Sequence, residues 1–315
     1  FAGYRAYPRS ENEIMFFLES KDFQLALAVV PVDALLLHEE TISGPVRKLT
    51  LALKNQAHLH NPIIIDENNV VLDGNHRAFV FKELRFRHIA VCRINYFHEK
   101  TKLRYWYRRL TNAPRLNLIK RAVKELKGDW REVADKDSLQ KALEEDRLCC
   151  GIQQGDFFVL VRFHDDVVHD AVSAYGIFNR IQEKLVGEGS TLEYIPCNYV
   201  HEADFCAGLG QDEVVLWSPR ITKEMVRDAA RCQKLFTPKA TRHLIPARPL
   251  NVDVPTQWFR EDISLEEINL RFAAHLQHKK IQHLGPGQIV HGRYYEEELF
   301  VFFEKESIRE GKEKG

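Results

Sequence analysis

Apolar positions fall in short blocks, and their spacing alternates between two periods. Residues 27 to 37 form an apolar run, interrupted by Pro31 and closed by the polar corner His38-Glu39-Glu40, which predicts a strand. From Val46 through Leu49, Leu53 and Ala57 the spacing is helical as far as Leu59. Pro62 to Ile65 and Val70 to Leu72, divided by Asp66-Glu67-Asn68-Asn69, predict a hairpin; Ala78 to Leu84 predicts a helix and Ile89 to Ile94 a strand. These elements would make a small mixed sheet with helices, a unit of ordinary domain size.

Between residues 110 and 235, helical spacing (118–126, 138–148, 171–185, 222–232) mixes with strand signals (157–161, 191–195, 213–217), which predicts a second α/β layer. The pattern breaks at Leu235 to His243, and Pro246, Pro249 and Pro255 mark an irregular stretch. A helix near 265–276, a turn at Gly285-Pro286-Gly287, a strand over 298–303 and a charged end complete the chain. The expected organisation is an α/β (α+β) protein. Residues 1–100 would form the first domain, 101–250 a second α/β domain, and 251–315 a C-terminal extension of unknown role.

Composition narrows the classes. Apolar residues are 44% of the 315, enough for a packed core. Lys plus Arg equals Asp plus Glu, 45 each, which removes the basic footprint of a duplex-DNA binder and argues against a nucleic-acid partner. No segment approaches the ~18 apolar residues that span a bilayer, and no signal-peptide pattern opens the sequence. Six cysteines without framework spacing suit reduced thiols. These features together read as a cytoplasmic protein. Oligomeric state is not readable.

Three clusters hold chemistry-bearing residue types. Asp73-Gly74-Asn75-His76-Arg77 sits between a hairpin and a helix, where unpaired N–H groups and the helix dipole attract phosphate. Gly74 lets backbone approach an anion, His76 and Arg77 add donors, and Asp73 can cap the helix or act as a catalytic carboxylate. Glu39 ends an apolar strand beside His38, and a carboxylate near a phosphate suits a general base for a hydroxyl nucleophile. Lys239, Thr241, Arg242 and His243 gather two fixed charges, a hydroxyl and an imidazole. Weaker groupings are set aside. His164-Asp165-Asp166 with His169-Asp170, and Cys197 with His201 and Cys206, lack established metal spacing; Cys149-Cys150 read as core; Leu103 to Arg109 is one basic-aromatic stretch on a neutral chain.

Gly74-Asn75-His76-Arg77 matches the Gly-x-x-Arg nucleotide turn of the ParB/sulfiredoxin fold. With His38-Glu39, Val71 to Arg77, Tyr105-Trp106-Tyr107 and Phe236 to His243, the chain over roughly residues 27 to 250 resembles the free L-serine kinases, ATP- or ADP-dependent. The resemblance implies a ParB/sulfiredoxin-like nucleotide-binding domain and phosphorylation of L-serine to O-phospho-L-serine, in service of cysteine or siderophore biosynthesis. It implies Glu39 as the base and Asp73 as its catalytic partner, with Mg2+ as cofactor. Gly74, Asn75, His76 and Arg77 would cradle the phosphates of an adenine nucleotide. Trp106, Lys239, Thr241, Arg242 and His243 would hold serine. Two departures stand out: Asn75 where the family commonly has His, and Ala240 where it has Thr. The rival expectations are a ParB-like DNA- or haem-binding regulator and a kinase of another hydroxy amino acid. ATP against ADP is undecided. Neither a Gly-x-x-x-x-Gly-Lys-Ser/Thr loop nor a eukaryotic kinase signature is present, so any kinase chemistry rests on the Asp73 turn.

Overall fold

The computed structural model describes residues 4–8, 14–55, 57–197, 209–210 and 212–305. The chain divides into two units: one comprises residues 1–36, 41–101 and 244–315, the other 37–40 and 102–243.

The first unit is built on a six-stranded sheet in the order Tyr4–Pro8, Ile14–Glu19, Gln24–Pro31, His88–Arg93, Ile63–Ile65, Val71–Asp73. His88–Arg93 pairs antiparallel with Gln24–Pro31 and parallel with Ile63–Ile65. Ile63, Ile64 and Ile65 are all buried, as a strand covered on both faces requires, which is why they read as an unbroken apolar run. The corner between the last two strands is held by buried Asp66, whose Oδ1 accepts from Asn68 N at 2.8 Å and Val70 N at 2.7 Å. The helix Asn75–Glu83 follows directly and packs on Ser43–Asn55.

The C-terminal stretch, expected as an extension of unknown role, belongs to this unit. Its helix Leu265–Gln277 packs on Ile14–Glu19 and Gln24–Pro31. Pairing between those two strands runs only as far as Phe16 and Leu27, so Val29 has an unpaired edge. Asn269 takes the place of the missing strand: its Oδ1 accepts from Val29 N at 2.7 Å and its Nδ2 donates to Val29 O at 2.9 Å. A three-stranded sheet follows, in which Glu298–Glu304 runs parallel to Ala247–Leu250 and antiparallel to Lys279–Leu284. A small hairpin, Gln288–Val290 with Arg293–Tyr295, precedes its central strand.

The second unit is an antiparallel six-stranded sheet in the order Gly128–Val133, Phe157–Phe163, Cys150–Gln154, Val214–Trp217, Trp106–Thr111, Thr191–Pro196. Helices Leu116–Glu125, Lys136–Glu145, Ala171–Gly187 and Lys223–Arg231 accompany it. Asp135, Asp170 and Thr222 cap three of them through side-chain oxygens.

Boundaries differ from the pattern in places with local causes. The strand predicted over 27–37 spans Gln24–Pro31 and passes into a short 3-10 turn, Val32–Ala34, since Pro31 brings no ladder N–H. The helix predicted to Leu59 stops at Asn55, and His58–Leu59 pairs instead with Val254–Pro255. The acidic corner set aside as a metal candidate has structural partners: Asp170 caps Ala171–Gly187 and pairs with Lys234, while Asp166 pairs with Lys127. His201 and Cys206 of the other set-aside group lie outside the described residues.

Candidate functional site

In the first unit the turn forms as its sequence implies, with one exception. Gly74, at φ +100°, is the N-cap of the helix, and no side chain caps that helix start. A Cβ at position 74 would stand 2.6 Å from Ile63 Cγ2, so only glycine fits the position on both conformational and steric grounds. Asp73 is therefore not the cap. Its Oδ2 accepts from Arg248 Nη1 at 2.8 Å and lies 3.5 Å from Arg77 Nη2. Burial alone would raise the Asp73 pKa, but the surrounding guanidinium groups outweigh it and hold the carboxyl well below the usual carboxylate range.

The same network fixes Arg77 and Arg248. Arg77 Nη1 donates to the carbonyl oxygens of Asn61 and, at 3.2 Å, Pro62, which ties the helix start to the segment leading into Ile63–Ile65. Arg248 Nε donates to Glu297. Asn75 has a buried side-chain oxygen without a hydrogen-bond partner among the described residues. His76 Nε2 accepts from Ile42 N at 3.1 Å, so in this state the imidazole secures the segment before Ser43–Asn55.

The second cluster lies in the other unit, where residues 38–40 are zippered to the 236–243 segment. Phe236 N donates to His38 O at 2.8 Å and Glu40 N to Phe236 O at 2.9 Å. Buried Phe236 anchors the segment edge-to-face against Tyr175, 5.7 Å between ring centroids. Glu39 is thereby wrapped by the loop. Its Oε1 accepts from Lys239 N at 2.8 Å, and its Oε2 accepts from Thr241 N at 3.3 Å and Thr241 Oγ1 at 3.1 Å. Lys239 adopts φ +65°.

A threonine hydroxyl has one proton, and here it points to Glu39. The 2.8 Å contact between His38 Nε2 and Thr241 Oγ1 is then a donation from His38, giving a chain His38 to Thr241 to Glu39. His38 is buried and stands edge-to-face with buried His243, ring centroids 5.4 Å apart. Desolvation raises the Glu39 pKa against these donors, so the carboxylate is more basic than an exposed glutamate.

Trp106 faces the same loop. Its Nε1 donates to Thr241 O at 3.1 Å, and Lys239 Nζ lies 4.4 Å from the centre of its ring. Arg242 is half-buried. Ala240, the departure from the family pattern, is fully buried, and its carbonyl accepts from Tyr175 Oη at 3.0 Å. The position acts through its backbone.

Of the residues singled out in sequence, Glu39, Trp106, Lys239, Thr241 and His243 are thus gathered in one unit, and Asp73, Gly74, Asn75, His76 and Arg77 in the other. Sequence reasoning missed Arg248, which binds Asp73 from 175 residues downstream, and Glu297, which binds Arg248 from the bend before Glu298–Glu304. Arg248 stands in a proline-broken stretch that carries no motif.

The two units, each a six-stranded sheet with accompanying helices, define the class: a mixed α/β protein. No family model matches the chain. An ATP-dependent L-serine kinase of Staphylothermus marinus is 26% identical over 238 residues, covering 72% of this chain and 88% of the relative. An ADP-dependent L-serine kinase of Thermococcus kodakarensis is 19% identical over 230 residues, covering 71% and 89%. Among solved structures, C-terminally truncated SbnI from Staphylococcus aureus superposes with a TM-score of 0.61 at 18% identity, over 80% of this chain and 95% of that one. The resemblance read from the motifs is therefore also one of sequence along most of the chain and of fold.

Proposed function

We propose that this chain is a kinase that transfers the terminal phosphoryl group of ATP or ADP to free L-serine, forming O-phospho-L-serine. The observation that carries the reading is Glu39. It is a desolvated, basic carboxylate held through both oxygens by the Lys239–Thr241 loop, next to an indole, an ammonium and a buried histidine pair. A surface glutamate gains nothing from such an enclosure; a general base does.

In this reading the serine Oγ attacks the terminal phosphorus, the bond to the nucleotide's bridging oxygen breaks, and the hydroxyl proton passes to Glu39. Thr241 and the Lys239 N–H orient the carboxylate, and His38 orients Thr241. Trp106 walls the serine side, and Lys239, Arg242 and His243 close over serine and phosphate. The unit with Gly74, Asn75, His76 and Arg77 holds the donor's phosphates, with uncapped helix N–H groups and Arg77 as donors. Asp73, ionised throughout the physiological range, is the carboxylate partner there.

Mg2+ fits this donor set. No group of three or more His, Cys, Asp or Glu among the described residues could cage a metal. Mg2+ needs no such cage, because it commonly arrives with phosphates and takes one or two carboxylates. Asp73 would hold it, and the ion would neutralise charge on the phosphates. No helix among the described residues is long and apolar enough to cross a membrane. We place the protein in the cytoplasm.

Glu39→Ala and Asp73→Ala are expected to abolish phosphoserine formation while the protein stays folded by circular dichroism. Wild-type turnover in either variant would overturn the assignment of that residue.

A further inference from the structure

The stretch carrying the family resemblance ends near residue 250, yet the chain beyond it is packed into the donor-binding unit. Two of its features converge on the Asp73 turn. Glu297, its side chain 8% exposed, binds Arg248, 10% exposed, which in turn binds Asp73 at 2.8 Å. The Asp73 side chain is 37% exposed, so the network runs from the interior to the surface. The hairpin Gln288–Val290 and Arg293–Tyr295 carries the second feature. Arg293 is exposed, lies over the Tyr295 ring at 4.8 Å, and has no ion-pair partner among the described residues. Its charge reaches both Asp73, where it favours the ionised form, and Arg77, which it disfavours.

Arg77 and Arg248 thus meet Asp73 directly beside an uncapped helix start, and the charge of Arg293, on the hairpin before Glu297, acts on the same pair. Guanidinium groups pre-oriented by a carboxylate or an aromatic ring suit phosphate oxygens better than flexible ammonium groups do.

We propose that the C-terminal part of this chain completes the donor site: Arg293 on the hairpin, and Arg248 aimed by Glu297, are ligands of the nucleotide's phosphates. This rests on reading Asp73 to Arg77 as the phosphate turn. The hairpin then sets how tightly the anionic end of the nucleotide is held, a property that the motif-bearing part of the chain does not supply alone.

The test is titration calorimetry of the full chain with ADP, ATP and adenosine. Arg293→Ala, a surface change, is expected to weaken ADP and ATP binding by about 10-fold or more and to leave adenosine within about twofold. Arg293→Lys should recover part of the loss, and in turnover the defect should appear in KM for the nucleotide and not in KM for serine. Glu297→Gln, which releases Arg248 at constant volume, should act in the same direction. ADP and ATP affinities within about twofold of wild type in Arg293→Ala would overturn the proposal, whatever Glu297→Gln does to folding. Wild-type binding of nucleotide without phosphoserine formation would sink the kinase reading and leave the clamp standing. Wild-type turnover with an unaffected Arg293→Ala would do the reverse.

Discussion

Replacing Gly74 by alanine tests the construction of the phosphate turn directly. Two costs add. A residue with a Cβ in the left-handed region at φ +100° costs roughly 1–2 kcal/mol. The new methyl would sit 2.6 Å from Ile63 Cγ2 on a fully buried strand whose side chain cannot swing away, an overpacking cost of about 1–3 kcal/mol. The expected loss is therefore about 2–5 kcal/mol in the unfolding of the unit that contains it. Gly44 is the internal control. It lies in the helix Ser43–Asn55 of the same unit, and a Cβ there meets nothing within 4 Å. Gly44→Ala, in the first helical turn ahead of Pro45, should stay within about 1 kcal/mol of wild type. Urea unfolding followed by far-ultraviolet circular dichroism measures both, with nucleotide titration alongside. Gly74→Ala within about 0.5 kcal/mol of wild type would refute the reasoning, because neither the strain nor the clash could then be real.

Three further outcomes follow from the two clusters and the C-terminal dock. Glu39→Gln keeps the shape of the side chain but not its basicity; kcat should fall about 10²–10⁴-fold with serine binding preserved, and a smaller fall in single-turnover assays would remove Glu39 from the base role. Because burial raises the Glu39 pKa, the fraction of active, ionised base grows as pH rises. The acid limb of kcat against pH should therefore have its midpoint above the ordinary glutamate value of about 4.3 and disappear in Glu39→Gln. Asp73, with its pKa lowered, contributes no limb in that range. Asn269→Ala strands the buried N–H and C=O of Val29 and should cost about 2–4 kcal/mol in urea unfolding, whereas a loss below about 0.5 kcal/mol would mean that the helix Leu265–Gln277 docks by apolar contact alone.

The residues visible in sequence were those whose chemistry is local. The Asp73–Arg77 turn could be read because hairpin, glycine and helix are contiguous and each obeys its own period, and the Lys239–His243 loop because five adjacent positions carry its character. The chain of Glu39, Thr241 and His38 spans about two hundred residues, and no single-chain pattern links them; only the resemblance did so. Arg248 and Glu297 were not legible at all. Both lie in stretches broken by proline or dominated by charge, where periodicity is silent, and their role comes from a parallel pairing, Ala247 opposite Glu298, that only tertiary structure reveals. The same holds for the C-terminal segment as a whole. Its helix was predicted, but its attachment depends on Asn269 matching one unpaired strand edge, and an asparagine on a helix face gives no sign of that in the sequence.

The most direct measurement is the reaction itself. Purified protein incubated with L-serine, Mg2+ and either ATP or ADP should yield O-phosphoserine together with ADP or AMP in equal amount, identified by mass, and the Glu39→Gln protein should form it about 10²–10⁴-fold more slowly. Folded protein that binds the nucleotide yet leaves serine unmodified with both donors would contradict the account.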